Sequence, residues 1–221
     1  MRTMTAIAVG TATYLAGLAL GYQVLLRRKC LTWGARTDEV ARTMPGDELL
    51  ADPDIVATRA ITIAASPAAI WPWLVQLGPG RGGAYTYDWI ENLLGLNMHS
   101  ADEILPQFQT LSVGDTFALG ENGPRMRAAI IEPEQALVFA STDGHWVWAF
   151  GLYPSDEGTR LVSRNRIALP ESASPARMFT RLIMEPGSWI MERKMLLGIK
   201  LRAERGSTPV AERPVTVQAV R

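Results

Sequence analysis

An α+β fold, with an antiparallel sheet of about six strands and a long helix at the C-terminal end, is predicted by three observations. Val56 to Gly95 reads as a strand, a helix, a glycine-rich turn and a second short helix. Between Asp115 and Leu169 come five further strand candidates, divided by turns so short that sequential strands must run antiparallel. From Ser188 to Arg205, the residues Trp189, Met191, Met195, Leu196, Ile199 and Ala203 recur on one broad side of a helix.

In the opening block, Val56, Ile61 and Ile63 supply β-branched bulk, and Ile61-Thr62-Ile63 alternates as a half-buried strand does. Ser66-Pro67 starts a helix, since the serine hydroxyl can accept an orphan backbone N–H and proline at the first position lacks a donor that had no partner. Ile70, Trp71, Leu74 and Leu77 share a face of it, and Gly78 is expected to end it. Tyr85, Trp89 and Leu93 then recur at helical spacing up to Gly95. The later strands are expected at Asp115 to Leu119, Met126 to Glu132, Ala136 to Ser141, Trp146 to Tyr153 and Thr159 to Leu169. Along the fourth of these, Trp146, Trp148, Phe150 and Leu152 point to one face and Val147, Ala149 and Gly151 to the other. Arg125 with Arg127, and Arg160 with Arg164 and Arg166, share faces by the same rule and predict a solvated exterior. Ser174-Pro175 opens the last helical stretch, with an interruption or kink expected at Pro186-Gly187. Thr37 is a candidate helix cap, and Ser100 is expected to cap a short helical turn after His99.

The phrases WPWLVQLG and YDWIENLLG, within this order of elements, resemble the START-related superfamily of lipid-transfer proteins and polyketide cyclases (SRPBCC) over roughly Ala35 to Arg205. The resemblance implies a helix-grip fold, in which a curved antiparallel sheet wraps on the C-terminal helix and leaves an internal apolar pocket.

Composition bounds the rest. The 221 residues allow one good-sized domain plus an appendage, and 48% apolar content excludes wholesale disorder. The formal charge is zero, but residues 1–30 hold Arg2, Arg27, Arg28 and Lys29 and no acid. The remainder therefore carries 22 acidic groups against 18 basic ones, a net of −4, which makes a poor nucleic-acid binder. A single cysteine, Cys30, excludes a disulfide framework, and two histidines exclude a structural zinc site. No metal or cofactor is expected.

Thr3 to Leu26 carries no charged residue and is followed by Arg27-Arg28-Lys29, the pattern of an uncleaved transmembrane helix with a basic stop. The charge balance across it predicts a single-pass protein of the cell membrane with its domain on the cytoplasmic side. Gly17-x-x-x-Gly21 is a spacing through which two such helices could pair as a homodimer. The chain is thus divided into an anchor at 1–30, a connecting segment at 31–55, the domain at 56–205 and a disordered tail at 206–221.

Candidate chemistry is sparse. Gly78-Pro-Gly80-Arg-Gly82-Gly83 fits G-x-G-x-x-G in letters, but a helix precedes it and no parallel βαβ unit follows, so it reads as a tight loop. His99, Asp88 and Glu192 are the candidates for acid–base work; Asp88 lies three residues from Glu91 on the second short helix. Glu192 lies on the apolar side of the last helix without a cation three or four residues away. The expected pocket lies between that helix and the bulky face of the strand at 146, walled by Trp148, Phe150, Met191 and Met195. Glu192 is its polar group, and Tyr85 or Trp89 stands near its mouth. The leading expectation is a membrane-anchored domain that binds a hydrophobic small molecule or lipid. A cyclase- or dehydrase-like enzyme and a ligand-free interaction module are the alternatives.

Overall fold

The structure, a computed structural model, describes residues 17, 21–93, 95–120, 123–169 and 180–207. Its sheet has six antiparallel strands: β1 Ile55–Ile63, β2 Thr116–Ala118, β3 Arg125–Glu132, β4 Ala136–Ser141, β5 Trp146–Ser155 and β6 Gly158–Ile167. Their order is β1-β6-β5-β4-β3-β2, so the first strand lies beside the last. The register runs from Ile55 opposite Ile167 to Ile63 opposite Thr159. A bulge between Ala128 and Ile130 in β3 breaks the ladder, as bends in curved sheets do.

The two faces of the sheet sort as the alternation predicts. On the inner face, Ile63, Met126, Leu137, Phe139, Phe150 and Leu152 form one cluster with the helix side chains Ile70, Leu74, Met195, Leu196, Ile199 and Ala203. On the outer face, Val138, Val147, Ala149 and Val162 pack with Met44. Met44 belongs to the 31–55 segment, which runs across this outer face. Gly34 there has φ +71°, and a Cβ at that position would stand 2.1 Å from the Ala60 carbonyl oxygen, so only glycine allows the chain so close to β1.

That covering segment overturns the exterior reading of the β6 arginines. Arg160 and Arg164 are buried, Arg164 to 3% exposure, and Arg166 is half-buried. Arg160 makes a two-pronged ion pair with Glu39, Nε to Oε1 at 2.8 Å and Nη2 to Oε2 at 2.6 Å. Arg164 donates to the Glu39, Val40 and Arg42 carbonyls and to Asp47. The physical reason is that a short irregular segment cannot satisfy its own carbonyls, and guanidinium groups with five donors do so for it. Arg125 and Arg127, on β3, are exposed as expected.

Ser66 caps the helix Pro67–Val75, its hydroxyl accepting from the Ala69 N–H at 3.3 Å. That helix stops at Val75, short of Gly78, which instead forms a β-bridge with Gly83. Thr37 is the first residue of the helix Thr37–Ala41 rather than its cap, and Glu39 accepts from the Arg36 N–H. The second short helix spans Asp88–Leu93. Ser100 caps no helix; its N–H and hydroxyl both donate to Asp88, at 2.8 and 2.6 Å.

The C-terminal helix runs from Glu185 to Ser207, preceded by a wide π-helical turn at Thr180–Met184. Pro186 therefore stands at the junction between the π-helical turn and the α-helix, so the irregularity expected there is a change of winding, and the α-helix then runs on through Gly187. The Ser174-Pro175 start lies outside the described residues.

The expected membrane span needs a larger correction. Most of Thr3 to Leu26 lies outside the described residues, and among those described no helix is long and apolar enough to cross a membrane. The helix Arg27–Leu31 docks on the domain, burying Cys30 and Leu31, while Val24, Leu25 and Leu26 of the turn before it are exposed. Tyr22 donates to Glu185 at 3.3 Å, and Arg27 donates to both Glu185 oxygens at 2.9 Å. Arg27, taken as part of a basic stop, is thus engaged with a carboxylate of the C-terminal helix. The single-pass assignment to the cell membrane with a cytoplasmic domain falls, and the dimer through Gly17 and Gly21 falls with it.

Candidate functional site: a cavity under the C-terminal helix

Between the C-terminal helix and the inner face of the sheet lies a cavity of about 530 Å³. Trp146 and Trp148 of β5 line one wall, and Met184, Met191 and Met195 line the opposite one. Leu31, Ile55 and Ile167 contribute aliphatic surface at the end where β1 begins and β6 finishes. The tryptophans face inward because they alternate with Val147 and Ala149, which the outer cluster buries. Their rings stack with centroids 5.9 Å apart and planes 21° apart.

A polar island crosses this apolar lining. Arg59 of β1, 1% exposed, pairs through Nη1 with Glu192 of the helix, donates through Nε to the Cys30 carbonyl at 2.9 Å and through Nη2 to Ser188 Oγ at 3.3 Å. Glu192 also accepts from Ser163 Oγ at 2.5 Å and from Asn165 Nδ2 at 3.1 Å to each oxygen. The tryptophan N–H groups complete the network, Trp148 donating to Ser163 Oγ at 3.1 Å and Trp146 to Asn165 Oδ1 at 2.8 Å. Each member is satisfied, which is the condition for keeping ions and amides in an apolar interior. The Glu192 carboxylate is therefore committed to holding β1, β6 and the helix together.

Glu91 is different. It is 5% exposed and lines the cavity from the second short helix, yet its Oε2 has no hydrogen-bond partner; nor has the Thr86 hydroxyl, which also lines the cavity. Burial raises its pKa above the ordinary carboxylate range, the nearby Thr86 hydroxyl draws it back, and the Asp88 charge adds to the rise. A carboxyl raised on folding contributes stability that is complete below its unfolded value, about 4.3, and is lost as pH rises through the folded value. Glu91→Gln should accordingly change the urea midpoint little near pH 4 and raise it at pH 7. A lower midpoint at pH 7 would mean that the carboxylate is stabilised rather than penalised where it stands.

The other residues singled out in the sequence take different places. Trp148, Met191, Glu192 and Met195 come together around the cavity. Phe150 lies behind Trp148 in the core, ring centroids 4.9 Å apart. Tyr85 is buried away from the lining, with φ +58° and its hydroxyl donating to the Trp73 carbonyl at 3.0 Å. Trp89 is 69% exposed and off the lining. His99 is exposed, and Asp88 is engaged by Ser100; neither lines the cavity. Among the described residues no cluster of three or more His, Cys, Asp or Glu could hold a metal ion. The residues that sequence reasoning missed are Arg59, Ser163 and Asn165. Arg59 carried a signal, since it shares the inward alternation of Ile61 and Ile63.

Strand order and cavity together define a helix-grip domain, with a six-stranded antiparallel sheet closed over a C-terminal helix and a hollow left between them. No protein-family model matches the chain, and no curated protein does. Among solved structures, the chain is similar to a Polyketide_cyc-like protein from Corynebacterium glutamicum at 15% identity, covering 72% of this chain and 96% of that one, with a TM-score of 0.38. It is also similar to the Aha1 dimer from Colwellia psychrerythraea at 16% identity, covering 70% and 99%, TM-score 0.39. An AHSA1-like protein from Aeromonas hydrophila matches at 16% identity over 69% and 94%, TM-score 0.39.

Proposed function

We propose that the domain binds a hydrophobic small molecule or lipid in the cavity under the C-terminal helix. The observation that carries this reading is the cavity itself: about 530 Å³, within the roughly 300–1,000 Å³ common for small-molecule sites. Its two tryptophans offer flat apolar area, and its three methionines offer adaptable contacts. An acid–base enzyme is less well supported, because Glu192 already accepts four hydrogen bonds and His99 and Asp88 lie off the lining.

Met195→Trp tests the reading, since Met195 is buried at the cavity wall. A larger side chain that enters a true hollow should weaken binding of the neutral fluorescent probe Nile red several-fold while leaving the urea midpoint nearly unchanged. In a filled core the same change overpacks and costs about 1–3 kcal/mol. That loss, together with no Nile red binding by the parent protein, would leave an interaction module without ligand.

A further inference from the structure

The polar groups around the cavity divide into those whose bonding is complete and those whose bonding is not. Arg59 and Glu192 neutralise each other, and Glu185 is paired with Arg27. Asp143, at the rim, accepts from Ser141 Oγ and the His145 N–H. Glu91 is in no ion pair among the described residues and its Oε2 makes no hydrogen bond of ordinary geometry; the Thr86 hydroxyl, itself without one, stands near enough to steady the carboxylate.

The charge of the lining points the same way. Arg59 offsets Glu192 and Arg27 offsets Glu185, so the lining keeps two further acids, Glu91 and, at the rim beside His145, Asp143, and no further arginine or lysine. A cavity with that balance and low-dielectric walls draws a cation and repels an anion. A buried carboxylate without a partner is costly, and a donor brought by a ligand removes that cost.

We propose that Glu91, with Thr86 beside it, is the docking point for the ammonium head of an amphiphilic amine whose hydrocarbon part fills the rest of the cavity. The ammonium N–H groups donate to Glu91 Oε2 and to Thr86 Oγ1, supplying the positive charge that no protein cation among the described residues brings to Glu91. The hydrocarbon part lies between the tryptophans of β5 and the methionines of the helix. This specificity rests on the reading of the cavity as a ligand site, and it adds the chemical class of the ligand.

The test is displacement of Nile red from the full-length protein by three ten-carbon competitors that differ only in the head: decylamine, decanol and decanoate. Decylamine should displace the probe at a concentration about tenfold or more below that of decanol, the usual gain for a charge-assisted hydrogen bond. Decanoate should be the weakest. Glu91→Gln should bring decylamine to the decanol value while leaving decanol unchanged. Glu91→Asp, which keeps the charge one methylene further back, should weaken decylamine alone and serves if the glutamine variant does not fold. Equal displacement by decylamine and decanol in the parent, or a preference that survives in either variant undiminished, would overturn the assignment while leaving the cavity reading intact. Absence of Nile red binding by the parent would remove the cavity reading and this assignment together.

Discussion

Replacing Arg59 with methionine is expected to destabilise the domain by about 3–5 kcal/mol, the usual loss when one member of a buried ion pair is removed. Glu192 would stay in the interior with only neutral donors from Ser163 and Asn165, and the Cys30 carbonyl would lose the donor that Arg59 Nε supplies. The measurement is the urea midpoint, read with an unchanged m-value so that the difference reports the folded state. Combining Arg59→Met with Glu192→Leu removes both charges, and most of the loss should return, because apolar replacement of a whole buried pair is often close to neutral. A loss below about 1 kcal/mol in the single variant is what a solvated pair would give, and it would contradict the burial of this one.

The second large effect is expected on the opposite face of the sheet. Arg164→Gln should cost about 3–5 kcal/mol, because Arg164 supplies donors to Thr58, to Asp47 and to three backbone carbonyls of the covering segment. The segment should loosen before the sheet does, so limited proteolysis between residues 37 and 50 ought to precede global unfolding in the variant. Arg125→Gln is the control: an exposed arginine on β3, its removal should stay within about 0.5 kcal/mol. Equal, small effects at both positions would return the β6 arginines to the solvent.

The contrast between Arg125 and Arg164 marks where the sequence stops being legible. Strand alternation correctly places Arg160, Arg164 and Arg166 on the face opposite Leu161, Ser163 and Asn165, but it cannot say what lies over that face. The cover is an irregular stretch whose own pattern is weak, and its carbonyls become acceptors only once it is laid across β6. The strands themselves were readable because their turns are short and their alternation is strong; Ala136–Ser141 is found where it is expected. The cavity wall was readable for the same reason at Trp148, and from helical periodicity at Met191 and Met195. Its polar island was legible only at Glu192, which falls on the apolar side of the last helix; that Arg59, Ser163 and Asn165 meet it there depends on the pairing of β1 with β6, which no local pattern states. Glu91 was visible as a helix-borne acid beside Asp88, but its burial depends on the packing of its short helix against the rest of the fold.

The pairing of β1 with β6 alone also shapes how the chain reaches this structure. Among the described residues β1 has no other neighbour in the sheet, and the strand it needs lies roughly a hundred residues further along, which is a demanding loop to close. During synthesis from the amino terminus, Ile55 to Ile63 emerges long before β6 and must wait with its backbone unpaired. The hairpins of β3 through β6 can assemble meanwhile from neighbouring sequence. The edge of β6 that β1 will occupy stays open until that late closure, and so does the position where Arg59 meets a helix made later still. An exposed strand edge in a partly folded chain is a template for pairing with another copy. Crowded, newly made chains are therefore most vulnerable to aggregation in the interval before the first strand is captured by the last.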